Sequence, residues 1–479
     1  MNNTTYEKEI PVLLQAVINV LLAHRQAFRQ ERTFLRGVGL FFAELFNFGR
    51  HTVTQDLLTL GLTDGDWSAW YRLFSRARFE EEPLAACMLR ETAKEVREAD
   101  PYCVAVDSTS VHRSSLKMPG TSWLRDSRFS PFRPGIHRAQ RFVHGAWLTP
   151  LEQGYSRAVP LRFLPAFPPK AIASQASPQT EAEAGLMFLK WVRSGLDEVG
   201  RRDQPLLALA DGGFDVLDLW KGLPERVILV VRTARNRRLS WLPKPDPQPG
   251  PGHPLYYGEV APHPAEWLHA GLRHWPKQIV EVRGKHIEMT YQVLGPFVRD
   301  GMPERPLFLI VTKGMHRQIG KKVMRFKYRG PSFYLVSAQK RGDQWVLPLP
   351  IATLLTWIWQ RWEIEVAHRE LKSGLGLGEK QCWNVRSAIV SVQWSAWVYA
   401  VILLAAYRTW GLCHGPATPA PWWGGAKRWS LTTLWRSLRA ELWGRTEFRA
   451  CYNLSSSDWW KKEVWVGSLT NAVAAASRI

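Results

Sequence analysis

Apolar residues recur at helical spacing from Ile10 to Phe28, and the stretch Phe34 to Phe48 is again largely apolar, so residues 1 to about 95 read as helices. Thr52 or Thr54 is placed to cap a helix through Leu60. Gly61 and Asp64-Gly65-Asp66 then break the pattern, and Trp67 to Phe74 resumes it. After Pro101 the pattern changes to strands. Tyr102 to Asp107 (YCVAVD), Arg141 to Leu148 and Val159 to Leu164 are short apolar runs. A long basic loop with Lys117, Arg125, Arg128, Arg133 and Arg138 joins the first run to the second. Thr180 to Val199 is an amphipathic helix with acidic residues in its first turn. Leu206 to Asp211 (LLALAD) and Arg226 to Val231 are further strands.

Strands, a helix and more strands define an α/β layer with a mixed sheet. The Pro-rich stretch Pro243 to Pro254 forms neither helix nor central strand. It opens a segment with hairpin signals: Gln278 to Val282, the turn Gly284-Lys285, then Ile287 to Leu294. Leu307 to Thr312 and Phe333 to Ala338 are strand-like and flank a basic stretch. Ile351 to Lys372 reads as one long helix. Ala388 to Tyr407 is the most apolar stretch, and its uninterrupted part is shorter than the roughly 20 residues a bilayer span needs, so a buried core helix and no membrane association are expected. A Pro/Gly/Ala-rich break, His414 to Gly425, precedes a Trp-rich tail, and there is no internal repeat.

Charge alters this picture. The 63 Lys and Arg against 42 Asp and Glu give +21, a balance that points to a polyanionic partner, most commonly nucleic acid. Arg72, Arg76 and Arg78 lie in or just beyond the second of the two short N-terminal helices, an arrangement that resembles a helix-turn-helix and equally fits a plain helical hairpin. Basic runs at Arg232 to Arg238 and His316 to Arg329 alternate cations with apolar residues. Arg237, Arg238, Lys321 and Lys322 there are candidates for tracking phosphates, against a solvated strand face. The five cysteines are dispersed and form no CxxC pair, so reduced core thiols in a cytoplasmic protein are expected, and no secretory signal is visible.

Three carboxylates stand out by placement. Asp107 and Asp211 each end an apolar, β-prone run, and in open α/β sheets sites form at such strand ends. Glu365 lies in the mixed-charge stretch IWQRWEIEVAHRELK, where Arg361, His368 and Lys372 fall within about 60° of it on one helix face. A carboxylate on a stripe of Arg, His and Lys suits a site that holds both metal and phosphate. Two Mg²⁺ ions ~3.5–4 Å apart activate an oxygen nucleophile and stabilise the leaving oxyanion of a phosphodiester, if carboxylates from separate elements flank them. Asp215 and Asp218 read as solvated or helix-starting. His368 reads as structural or phosphate-adjacent more readily than as a metal ligand.

The spacing Arg361-x3-Glu365-x6-Lys372 resembles the Tyr-Arg-Glu-Lys signature of bacterial insertion-sequence transposases, DDE enzymes of the cut-and-paste type with an RNase H-like core. DSTSVHR from Asp107 looks like that family's first-Asp segment and ADGGFD around Asp211 like its second. The order strand Asp, strand Asp, helix Glu also agrees, and the likeness spans roughly residues 45–410. One position departs: Ile358 stands where the signature has Tyr, so that residue's phosphate hydrogen bond is absent.

The resemblance implies a catalytic, metal-binding triad of Asp107, Asp211 and Glu365. Mg²⁺ (two ions, with Mn²⁺ as substitute) would sit there, and Arg361 and Lys372 would hold DNA near the cut. It also implies double-stranded DNA partners (element ends and target), a homodimer acting in trans, often a hairpinned end, strand transfer, and residence at the bacterial nucleoid. A flipped base stacked on an aromatic of the insertion is implied too, with Trp267, Trp275 and Trp345 as candidates. The expected organisation is a helical DNA-binding region (1–98), an RNase H-like core (99–240 and 341–410) interrupted by a β-rich insertion (241–340), and a helical C-terminal region (411–479). Two other readings remain: a transposase-derived DNA-binding regulator without catalysis, for which Ile358 is the hint, and a metal nuclease of another fold.

Overall fold

The computed structural model describes residues 12–76, 78–126, 135–169, 179–244, 255–269, 274–319, 325–328, 330–416 and 428–443. Five helices come first: α1 (Val12–Ala23), α2 (Glu31–Phe46), α3 (Val53–Thr59), α4 (Ser68–Ser75) and α5 (Glu81–Ala93). Thr52 caps α3 by accepting from the Gln55 N–H at 3.2 Å. The core then runs β1 (Tyr102–His112), β2 (Thr121–Asp126), β3 (Gly135–Leu148), β4 (Ala158–Pro165), α6 (Glu181–Glu198), β5 (Leu206–Ala210), α7 (Leu217–Gly222) and β6 (Val227–Arg232). Thr180 and Glu183 form a capping box at the start of α6, which fixes where that helix begins.

β1 lies between an antiparallel partner, β3, and a parallel one, β5, and β6 continues parallel beyond β5. β4 adds antiparallel to β3. Three antiparallel strands followed by helix-linked parallel strands give the RNase H-like core. The basic segment before Arg141 is not all loop. β2 pairs with an early start of β3 there, an edge hairpin whose exposed Trp123 and Ile136 hide the alternation expected of a strand. Arg128 and Arg133 lie outside the described residues.

Beyond β6 come β7 (Ser240–Trp241), β8 (Lys277–Val282), β9 (Lys285–Arg299), β10 (Met302–Thr312), β11 (Met315–Ile319), β12 (Arg325–Tyr328) and β13 (Ser332–Ser337), then the hairpin β14 (Gln339–Arg341) and β15 (Gln344–Val346). β13 pairs antiparallel with β6, so these strands extend the core sheet without a break. The β8–β9 turn holds Arg283 and Gly284 at positive φ (53° and 68°), the geometry that a tight hairpin demands. It docks on a second such turn at Gln153–Gly154 through Arg283 N–H to Gly154 C=O and Gly284 N–H to Gln153 C=O, both 2.8 Å. A side chain at Gly154 would strike the Glu281 carbonyl, so glycine is required for this approach.

Four helices follow: α8 (Ile351–Gln360), α9 (Glu363–Gly374), α10 (Val385–Trp410) and α11 (Leu431–Trp443). The single helix expected from Ile351 to Lys372 is therefore two. Arg361 and Trp362 keep helical dihedrals, but the hydrogen bonds tighten there to Ile364 N–H on Arg361 C=O and Glu365 N–H on Trp362 C=O. No Pro or Gly marks the break, so apolar periodicity passes straight over it. α10 is capped by Asn384 and buried along most of its length, between β4 on one side and α1, α4 and α5 on the other. Trp394 and Trp397 on α10 pack among Phe28, Phe41, Phe74 and Phe79, and Trp147 and Trp220 are also fully buried, which accounts for part of the tryptophan content. The N-terminal helices thus share one hydrophobic core with the sheet domain.

Candidate active site

Asp107 lies midway along β1, and Asp211 follows the last residue of β5. The parallel register pairs Val106 with Ala210, so the next residue on each strand places the two aspartates side by side, about one strand spacing (~4.8 Å) apart. Glu365 comes from the first turn of α9, which packs across β1 and β4. Burial pushes the Asp107 carboxyl up to about 6. Arg361 and the Ser108 N–H (2.8 Å) pull it down, and the negative charges of Asp211 and Glu365 push it up again. The charges of Asp211 and Glu365 are thus both felt at Asp107.

One wall around Asp107 is uncharged. His368 Nδ1 lies 3.9 Å from Asp107 Oδ2, and burial, reinforced by Lys372, lowers His368 to about 3. Its ring sits 5.0 Å from that of His144, which faces Asp107 across the β1–β3 ladder and is itself held neutral by burial. Neither imidazole offsets the carboxylate charge. Arg361 does so in part: its Nη2 lies 3.0 Å from Glu365 Oε1, the i, i+4 contact its spacing permits.

α9 is fixed by ion pairs that the sequence did not disclose. Arg283 from the docked turn binds Glu363 at 2.6 Å, and Arg157 binds Glu370 at 2.5 Å, with the Tyr399 hydroxyl donating to the same carboxylate. Their partners are far away in the chain, so no spacing rule reveals them. Ile358 packs partly buried against the core.

The carboxylates from three elements are hard oxygen donors, and the negative charge that Asp211 and Glu365 place at Asp107 is what a divalent cation relieves, so the donor set suits a hard divalent cation. As placed, Glu365 turns to Arg361, and among the described residues no three His, Cys, Asp or Glu side chains converge at metal-binding spacing.

The remaining candidates are dispersed. Lys372 is exposed two turns beyond Glu365. Arg72 and Arg76 are exposed on and just after α4. Arg237 is engaged by Asp215 at 2.6 Å, whereas Arg238 stays largely exposed, 3.7 Å from Asp300. Asp215 corrects the expectation of a solvated residue. It is buried, and Arg237, Arg299 (2.7 Å), Thr233 (2.6 Å) and Trp220 Nε1 (3.0 Å) converge on it. Asp218 is exposed in the first turn of α7. Lys321 and Lys322 lie outside the described residues. Trp275 carries Lys313 over its ring at 4.5 Å, Trp267 packs edge-on to Trp241, and Trp345 sits in the β14–β15 hairpin. Cys87 and Cys103 are buried, but Cys382 and Cys413 are partly exposed, so not all are core thiols; Cys451 is outside the described residues.

A comparison with family models matches residues 24–287 to the DDE superfamily endonucleases, more than half of the chain and both aspartates, ending before Glu365. The chain belongs to this family of DDE endonucleases. No curated protein sequence matches it. The class is therefore a nuclease of RNase H-like fold that acts on DNA.

Proposed function

We propose that this endonuclease is a transposase of the bacterial insertion-sequence type. It would bind the double-stranded ends of its element, cut them with Asp107, Asp211 and Glu365, and join them to target DNA. The observation that carries this is the pairing of Asp107 and Asp211 at one level of adjacent parallel strands, with the charge of Glu365 felt at Asp107. The spacing of Arg361, Glu365 and Lys372 on α9 supports the insertion-sequence assignment.

Asp107, Asp211 and Glu365 would hold two Mg²⁺ ions, with Mn²⁺ as substitute, which supply an activated oxygen nucleophile and stabilise the leaving oxyanion. The neutral His144–His368 wall excludes water from one side of Asp107 and keeps its carboxylate poorly compensated until cations arrive. Arg361 holds Glu365 in place while the site waits, and presents a planar fork to a phosphate beside the cut. Lys372 adds a point charge two turns along the same helix. A homodimer on DNA, with each active site serving the other subunit's element end, and residence at the bacterial nucleoid complete the proposal.

The test is cleavage and strand transfer with Mg²⁺ on DNA carrying the inverted repeats that flank the coding sequence. Asp107→Asn, Asp211→Asn and Glu365→Gln should each abolish cleavage and keep DNA binding. A second reading, a DNA-binding regulator derived from a transposase, draws on Ile358, which brings no hydroxyl to this face. Binding without any cleavage by the unaltered chain would favour it. Cutting of arbitrary duplex without end preference would instead leave a nuclease and no transposase.

A further inference from the structure

Two cavities meet at the seam between the N-terminal helices and the catalytic core. One, of about 470 Å³, lies against α3 and α4, and the other, of about 680 Å³, lies beyond the far end of β1. They share Arg50, Glu379 and Gln381, so they form one groove. Tyr71 and Trp383, 41% and 72% exposed, line its outer half. The inner half holds His112 and His137, whose rings stack 4.0 Å apart at 11°, together with Arg138 and Lys372.

The wall of this groove is preformed. The segment between α9 and α10 is tied to the core by Arg113, which donates to the carbonyls of Gly378 and Lys380 at 2.8 Å each. On the other side Lys380 pairs with Glu44 of α2, and Glu379 accepts the His51 N–H at 2.6 Å. Glu379, the carboxylate in the groove, is thus occupied by the protein, and Arg50 stands exposed where the two halves meet.

Position ties the groove to the carboxylates. Ser110, on its floor, lies three residues past Asp107 on β1, about 10 Å away. Lys372 lies seven residues past Glu365 on α9, again about 10 Å. Two independent elements give one separation, the length of about three stacked nucleotides at ~3.4 Å each. Aromatic faces alternating with cations suit bases that stack on protein and phosphates that follow them. A duplex buries its base faces in its own stack and offers none.

We infer that this groove holds an unpaired DNA strand leading away from the cut phosphate, with its phosphates on Arg50, Arg138 and Lys372 and its bases against His112–His137, Trp383 and Tyr71. The inference rests on the proposed cleavage site for its direction, and its test does not require cleavage. The full chain is titrated, without divalent metal, with a labelled blunt duplex and with the same duplex carrying a six-nucleotide single-stranded tail. The tail should tighten binding about tenfold, and Trp383→Ala, His112→Ala and Arg138→Gln should each remove most of that advantage. Trp383 and His112 are exposed, so their loss leaves the fold intact. No gain from the tail, or equal losses on blunt and tailed DNA, would overturn the groove. Tighter binding of a ribonucleotide tail would overturn its assignment to DNA. A tail advantage in a chain that never cuts DNA would keep the groove and reject the proposed transposase.

Discussion

Two buried carboxylates in this molecule shift in opposite directions. Glu44, on α2, is fully buried. Burial pushes it up, but Lys380 and His51 outweigh burial and hold it below the usual carboxylate range. Asp107, on β1, is also mostly buried and rises to about 6. Burial raises it most, Arg361 and the Ser108 N–H lower it without cancelling that rise, and the charges of Asp211 and Glu365 add to it. The seam is a finished structure with its charge matched inside the protein. The candidate site around Asp107 is left short of positive charge. Carboxylates that hold a fold together and carboxylates that await cations are told apart by their partners, since burial is common to both.

The largest effect that tests this contrast is chemical. Asp107→Asn, Asp211→Asn or Glu365→Gln should lower cleavage on the order of 10³-fold or more, with little change in melting temperature. A parallel loss of melting temperature would move these residues to the structural side. Next, Lys380→Met should destabilise the fold by about 3–5 kcal/mol in urea unfolding, because it leaves Glu44 charged and buried. A cost under ~1 kcal/mol would mean the seam is not a matched pair.

A smaller effect depends on pH. Glu44 has its folded value depressed to about 2 from 4.5, so its contribution is present above 4.5 and is lost as pH falls toward 2. The stability gap between wild type and Glu44→Gln should narrow over that window, measured by melting at successive pH values. Asp56 next to it is raised by burial and by Glu44, so Glu44→Gln also moves its titration, and the two chains are compared in an Asp56→Asn background. A constant gap would exclude the ion pair as the cause. The smallest effect concerns Arg361. Arg361→Gln should slow cleavage roughly 10- to 100-fold, the range for a residue that orients a metal-binding carboxylate, and Arg361→Lys should recover only part of it. Full recovery by lysine would show that charge alone suffices.

Much of this was legible in order along the chain. YCVAVD and LLALAD are short apolar runs that end in carboxylates, and each became a central strand, with the two aspartates at one level of adjacent parallel strands. Thr180 and Glu183 announced α6 by local chemistry. What stayed hidden depends on distant partners. Asp215 sits four residues after Asp211, and Arg237 from the loop after β6, with Arg299 at the end of β9, turns it into a buried node. Glu44 and Lys380 meet across nearly the whole chain. The break at Arg361–Trp362 carries no helix-breaking residue, so nothing local predicts it.

The ladder between β13 and β6 has a mechanical consequence. The pairs Tyr334 with Arg232, Leu335 with Val231 and Val336 with Val230 stitch the inserted strands into the sheet that carries Asp107 and Asp211. Swinging those strands aside would mean unzipping a buried seam, as Leu335, Val336, Val230 and Val231 are all core residues. The inserted strands are thus a wing without a hinge, fixed to the sheet that bears the two aspartates.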